Sequence, residues 1–137
     1  MIMNEELQNK YMQLQMLEQQ TSQMQQHIEQ MDQQAAELVQ VAENLREIQD
    51  VKEGTAILVP MAGGVFVRAK IDEPEHVLIN VGASSTVQKP IHAAVSLVEN
   101  QLNELVEYRE KTAEQLMAAV TKAHQAHTEL KAMAEKA

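Results

Sequence analysis

Cysteine and tryptophan are absent from this 137-residue chain, and one Phe and two Tyr are its whole complement of aromatic side chains. Without cysteine there is no disulfide framework and no thiol chemistry, which fits a reducing compartment. With so few large side chains a broad globular core cannot be built. Helix breakers are also scarce. The four glycines and three prolines all lie between Gly54 and Pro90, so nothing interrupts a helix on either side of that window. No apolar run approaches the ~20 residues of a membrane span. The segment from Met1 to Lys10 lacks a basic region followed by an apolar block, so no secretory signal is read there. These absences lead to the expectation of a soluble, cytoplasmic protein.

The charge is uneven. Residues 1–50 carry nine acids and two bases, giving −7, and 13 of those residues are glutamine. Residues 51–90 carry four of each sign, and residues 91–137 seven acids and five bases, giving −2. An acidic surface repels phosphate backbones, so nucleic acid is an unsuitable partner.

What the chain has is a sustained heptad on each side of a β-rich centre. In the first arm, position a falls at Leu7, Leu14, Thr21, Ile28, Ala35 and Ala42. Position d falls at Met3, Lys10, Leu17, Met24, Met31, Leu38 and Leu45. Eleven of these 13 are apolar, and a 3.5-residue repeat of that length predicts a coiled coil. At 1.5 Å per residue the helix runs roughly 70 Å. Gly54 is placed as its C-terminal cap. In the second arm a is Val95, Leu102, Arg109, Leu116, Ala123, Leu130 and Ala137. Its d positions are Ile91, Val98, Leu105, Thr112, Ala119, Ala126 and Met133. Pro90 suits the first turn of this helix. Past Leu116 the seam turns to alanine, which predicts looser packing there. Antiparallel pairing sets Leu45 near Val95, Leu38 near Leu102, Leu17 near Ala123 and Met3 near Ala137. Lys10 and Arg109 interrupt the seam and are read as setting register or as snorkelling stems.

Between the arms, Ile57-Leu58-Val59 runs to Pro60 and Met61-Ala62-Gly63-Gly64 reads as a turn. Val65 to Ile71 alternates with period two. Asp72-Glu73-Pro74-Glu75 breaks the run, Val77 to Val81 alternates again, Gly82-Ala83-Ser84-Ser85 turns, and Thr86 to Lys89 closes a second hairpin. The fold class is therefore mainly α: a long antiparallel coiled coil with two central β-hairpins. One domain is expected over 1–137, divided into helix 1–53, hairpins 54–89 and helix 90–137.

Four short strands cannot cover both faces or pair every edge, and open apolar edges are association sites. The band Ile57, Leu58, Val59, Val65, Phe66, Val67, Ile71, Val77, Leu78, Ile79 and Val81 is therefore expected to serve oligomerisation, closing an inter-subunit barrel. A second apolar group lies near the chain ends. Off-seam Ile2, Tyr11, Met12 and Met16 join Met3 and Leu7, with Leu130 and Met133 opposite. Methionine is flexible and polarizable and fits many apolar shapes, so this group is read as a binding tip.

Chemistry-bearing patterns are weak. His124 and His127 share a helix face near Glu129 without a third placed ligand, so no metal site is assigned. Gly63-Gly64 lacks the Gly-Lys-Ser/Thr of a phosphate loop. Glu5-Glu6 and Glu73-Pro74-Glu75 read as surface charge. No enzyme and no cofactor is expected.

The order of these parts, a heptad helix, I-L-V-P-M-A-G-G-V-F-V-R-A-K-I, V-L-I-N-V-G-A-S-S-T-V-Q-K and a second heptad helix, resembles the α class of prefoldin subunits, most like the archaeal form. The resemblance spans essentially the whole chain, and two hairpins rather than one mark the α class. It departs in a very Gln-rich first arm and in Ser84-Ser85-Thr86, where more apolar residues are expected. The resemblance implies a jellyfish-shaped heterohexamer of two α and four β subunits, with hairpins in central β-barrels. It implies an ATP-independent holdase whose coiled-coil tips bind unfolded proteins and deliver them to a group II chaperonin. The alternative is a structural scaffold or filament-forming relative.

Overall fold

The computed structural model describes the backbone of residues 2–136 and the side chains of residues 5–136. In order the elements are α1 (Ile2–Gln49), β1 (Ala56–Ala62), β2 (Val65–Lys70), β3 (His76–Gly82), β4 (Ser85–Pro90) and α2 (Ile91–Lys136). The chain divides into two compact units, Met1–Ala35 with Glu104–Ala137, and Ala36–Asn103.

The heptad translates directly into burial. Across residues 5–47, every a and d position is buried or half-buried and every other position is exposed. In α2 all described a and d positions behave the same way, joined by Ala93, Ala94, Glu99 and Ala113. Seven of the eight most buried residues are seam residues: Leu14, Met31, Ala42, Ile91, Thr112, Ala119 and Ala126, the eighth being Ala94. The alanine-rich stretch still covers part of its seam. Ala119 and Ala126 keep only 6% and 4% of their surface. Each such alanine withdraws little apolar area, so it contributes less than a seam leucine. The seam threonines satisfy themselves, Thr21 Oγ1 donating to the Leu17 carbonyl at 2.8 Å and Thr112 Oγ1 to the Tyr108 carbonyl at 3.0 Å.

In the first unit Lys10 pairs with Glu129 and Asp32 with Arg109, each across the two helices. Both pairs lie within one position of the register read from the heptads, which opposes Lys10 to Leu130 and Met31 to Arg109. The two cations that break the seam thus carry their heads sideways to a carboxylate on the facing helix.

In the second unit Arg46 pairs with Glu99 across the helices. Helix α1 ends before Gly54. Its last turn tightens through Asp50 N–H to the Glu47 carbonyl (3.3 Å) and Val51 N–H to the Ile48 carbonyl (3.1 Å), the usual way of using orphan carbonyls. Gly54 is therefore not the helix cap. Its φ of +81° lets its N–H donate to the Ile71 carbonyl at 2.7 Å, which closes the base of the first hairpin. Pro90 likewise differs from expectation. It ends β4 opposite His76, a place its missing N–H permits on an edge strand.

Strands β1 and β2 form one antiparallel ribbon and β3 and β4 another, with no pairing between ribbons. The Met61-to-Gly64 segment is only partly turn: β1 runs through Ala62, and Met61 is a bulge residue between the pairs Pro60–Phe66 and Ala62–Val65. The loop is Gly63-Gly64, with φ of +59° and +80°. Two successive left-handed residues match the twist of a hairpin.

Candidate functional site: uncovered apolar surface

Two groups of side chains were expected to be functional, and they sit in separate units. On the ribbons, Leu58 (64% exposed), Phe66 (57%) and Leu78 (72%) are open, as are Val59, Val65, Val67 and Val81. Ile57, Ile71, Val77 and Ile79 are half-buried. None of the eleven is buried by its own chain. Each ribbon has two strands, so each strand also keeps one unpaired edge. Apolar ribbons with free edges are unstable as exposed objects in water.

The second group lies along the outer residues of the helix pair in the first unit. Tyr11, Met12 and Met16 are exposed, while Leu7, Leu130 and Met133 are half-buried. Leu7, Gln8, Tyr11 and Met12 line a hollow of about 430 Å³. The Lys10–Glu129 pair bridges α1 and α2 in this stretch, bringing the Leu7–Met16 segment to the end of α2 that carries Leu130 and Met133. The side chains of Ile2 and Met3 lie outside the described residues.

Sequence reasoning missed a further apolar strip. Met117 is 69% exposed and Val120 44%, and Val120 and Ala123 share a hollow of about 230 Å³ with Glu18, Thr21, Ser22 and Gln25. The signal was available: methionine and valine stand at heptad positions b and e, where charged or amide residues are usual. Val106 sits at the e position two heptads earlier and is also exposed.

Polar groupings are modest. His27 and Tyr108 meet edge to face, with ring centres 5.7 Å apart. His124 and His127 are exposed and join no three-residue ligand grouping among the described residues. Glu73, Glu75 and His76 do form such a grouping. Glu73 Oε1 accepts the Glu75 N–H at 3.2 Å and lies 2.9 Å from His76 Nδ1. The hydrogen bond to His76, more than its charge, holds the Glu73 carboxyl below its usual range. Glu73 and Glu75 lie exposed on the turn and His76 opens β3, so the arrangement ties the turn to the start of the strand. No helix among the described residues is long and apolar enough to cross a membrane.

Comparison with known proteins agrees with this architecture. A family model described as "Prefoldin subunit" matches residues 17–136. A prefoldin subunit alpha from Methanococcus vannielii is 31% identical over 134 residues, covering 98% of this chain and 87% of the relative. One from Methanoculleus marisnigri is 37% identical over 82 residues, covering 58% of this chain and about half, 54%, of that relative. Among solved structures, a filamentous PFD from Methanocaldococcus jannaschii, determined by cryo-EM, superposes with a TM-score of 0.75. It is 19% identical and is covered over 98% of its length by 87% of this chain.

Proposed function

The chain belongs to the prefoldin family, and from that membership we propose that it is the α-type subunit of an ATP-independent holdase. Prefoldins are non-enzymatic chaperones, and family membership implies assembly with other prefoldin subunits. The observation that carries the finer reading is the set of ribbon residues, Leu58, Phe66 and Leu78 above all, that the chain leaves in water. At ~25 cal/mol per Å² such surface favours burial against sister ribbons. Two hairpins on one chain fit a central place, with β-type subunits on either side and two α to four β in the complex. The exposed Tyr11, Met12 and Met16, with Leu7, Leu130 and Met133 beside them, then hold unfolded proteins. The cytoplasm is the setting, and a group II chaperonin takes the client onward. Seam Met3 and off-seam Ile2 extend the same client surface.

Mixing the chain with an archaeal prefoldin β-type subunit and measuring native mass tests this. A closed complex that suppresses aggregation of a denatured client without ATP supports the reading. A stable monomer that ignores the β-type subunit overturns it.

A filament-forming scaffold is the second reading. It is favoured by the free outer edges of both ribbons and by the filamentous form of the structural relative. Head-to-tail contacts that do not close produce open polymers. Open-ended fibres from this chain alone would support it.

A further inference from the structure

The chain carries nine methionines and neither cysteine nor tryptophan. The methionine sulfurs are therefore its most readily oxidised groups, with no thiol to take an oxidant first. The side chains of Met1 and Met3 lie outside the described residues. The other seven methionines divide by position. On the helices the seam methionines are covered: Met31 keeps 3% of its surface, and Met24 and Met133 are half-buried. The off-seam methionines are open, Met12 exposing 60% of its surface, Met16 61% and Met117 69%. Met61, at the bulge of the first hairpin, is exposed as well.

The heptad thus separates the sulfurs an oxidant can reach from those that hold the helices together. Oxidation turns a flexible, apolar thioether into a polar sulfoxide that seeks hydrogen bonds. At Met31 the sulfoxide would stand in the seam without partners, which is destabilising, but the cover over Met31 keeps the oxidant away. At Met12 and Met16 the sulfoxide stands in water and leaves the seam as it was. These two residues are four apart on α1, so their side chains lie one above the other on the same stripe. Met12 also lines the hollow of about 430 Å³ with Leu7, Gln8 and Tyr11. Tyr11, Met12 and Met16 are the exposed members of the described outer group. Oxidation at both sulfurs therefore makes two of its three open side chains polar.

We propose that Met12 and Met16 form a reversible oxidation site, at which sulfoxide formation releases clients while fold and assembly persist. The proposal rests on the reading that the outer residues hold unfolded proteins. The oxidant is a hydroperoxide, hydrogen peroxide in the simplest case. A lone pair of the thioether sulfur attacks one peroxide oxygen, the O–O bond breaks, and the departing oxygen takes the proton and leaves as water. Sulfur gives up two electrons and the peroxide gains them. The return step consumes two thiols, which become a disulfide while the sulfoxide oxygen leaves as water. This chain has no thiol, so the reductant is a separate thiol-dependent methionine sulfoxide reductase. An apolar client segment packed on the oxidised stripe would strip water from two S–O groups and offer no donor in return. Binding there weakens for that reason, and the ion pairs, seam and ribbons are not involved.

The test uses the full chain carrying Met61→Leu, which takes the ribbon sulfur out of the comparison. The chain is treated with hydrogen peroxide, the peroxide is destroyed, and the chain is joined to an untreated prefoldin β-type subunit. Peptide mapping by mass spectrometry should find Met12 and Met16 gaining one oxygen roughly tenfold faster than Met31, or more. The complex should keep its native mass and lose suppression of client aggregation several-fold. Reductases for both sulfoxide epimers should restore it. Each chain is then compared with its own untreated form. Adding Met12→Leu and Met16→Leu should remove most of the loss, since leucine keeps the volume and has no sulfur to oxidise. Adding Met117→Leu instead should leave the loss in place. Met31 oxidising as fast as Met12 overturns the proposal, as does a fall in native mass on oxidation or a loss that M117L prevents. If the untreated wild-type complex holds no client, the client reading falls and the oxidation site falls with it. A complex that holds clients equally well before and after oxidation removes the oxidation site alone.

Discussion

Arg109, an a-position residue of α2, donates Nε and Nη2 to the two carboxylate oxygens of Asp32 on α1, the Nη2–Oδ2 distance being 3.2 Å. A two-pronged contact between helices is geometrically selective. Sliding one helix by a heptad would separate the pair and leave a cation on the seam. Arg109 thus serves register more than strength, since exposed ion pairs contribute little to stability.

Arg109→Leu should accordingly raise the thermal midpoint, because an apolar residue fills the a position. It should at the same time weaken the choice of register. Cysteines at 38 and 102, opposed in the register read from the heptads, should crosslink efficiently in the parent and less selectively in R109L. If R109L crosslinks at 38–102 as cleanly as the parent, Arg109 has no register role.

The same pair sets a pH response. The hydrogen bond from Arg109 holds the Asp32 carboxyl below its ordinary 3.8, with the guanidinium charge acting in the same direction. A group whose folded pKa is depressed stabilises above its unfolded pKa, and the contribution is lost as pH falls through the folded value. The contribution is therefore whole above 3.8 and fades below it. Asp32→Asn should lower stability slightly at pH 7 and lose its difference from the parent in strong acid. Unfolding of both proteins by denaturant at pH 7 and near pH 2 checks the sign.

Much of this fold is legible in the sequence because the two periodicities are clean. A 3.5-residue repeat with amides and acids off the seam leaves few other ways to bury Leu14, Met31 or Leu45. The alternation of Val65 to Ile71 marks a strand as plainly. What could not be read were stops. Glu47 to Glu53 contains no breaker, so the end of α1 at Gln49 goes with a long-range bond, from the Gly54 N–H to the carbonyl of Ile71 just past β2. Pro90 is acceptable both as the first helical residue and as the last edge-strand residue, and tertiary pairing with His76 decides. Met117 and Val120 are single apolar residues among polar neighbours, a weaker signal than the Met-rich amino-terminal end.

Methionine at different heptad positions should answer mutation differently. Met31, at d, keeps 3% of its surface, whereas Met12, at f, keeps 60%. Met31→Ala removes buried methylene groups and opens a gap, so it should cost about 2–3 kcal/mol. Met12→Ala removes nothing from the seam and should stay within about 0.5 kcal/mol. Chemical denaturation of the two variants side by side tests this, and equal losses would contradict the heptad assignment.

Client capture should separate from stability at the outer residues. Replacing Ile2, Met12 and Met16 together by serine leaves the described seam and ribbons untouched, so native mass with the β-type subunit should be unchanged. Suppression of client aggregation should weaken several-fold, since apolar area is removed from the binding surface. Full activity in this triple variant would move the client surface elsewhere, and Met117 with Val120 is the first place to look.

The two hairpin loops differ in one respect that carries a final expectation. The first places Gly63 and Gly64 at positive φ, while the second places Ala83 and Ser84 there, at +50° and +64°. A side chain in that region costs roughly 1–2 kcal/mol per residue relative to glycine. The second loop thus holds strain that the first does not. Ser84→Gly should relieve part of it, steady the second ribbon and raise the midpoint for dissociation of the assembled complex. Gly64→Ala should do the reverse at the first loop, by about 1–2 kcal/mol. Apart from its chain neighbours, no atom lies within 4 Å of where a Cβ would stand on Gly64. Steric crowding therefore cannot account for a loss, and any destabilisation of G64A reports the backbone angle alone.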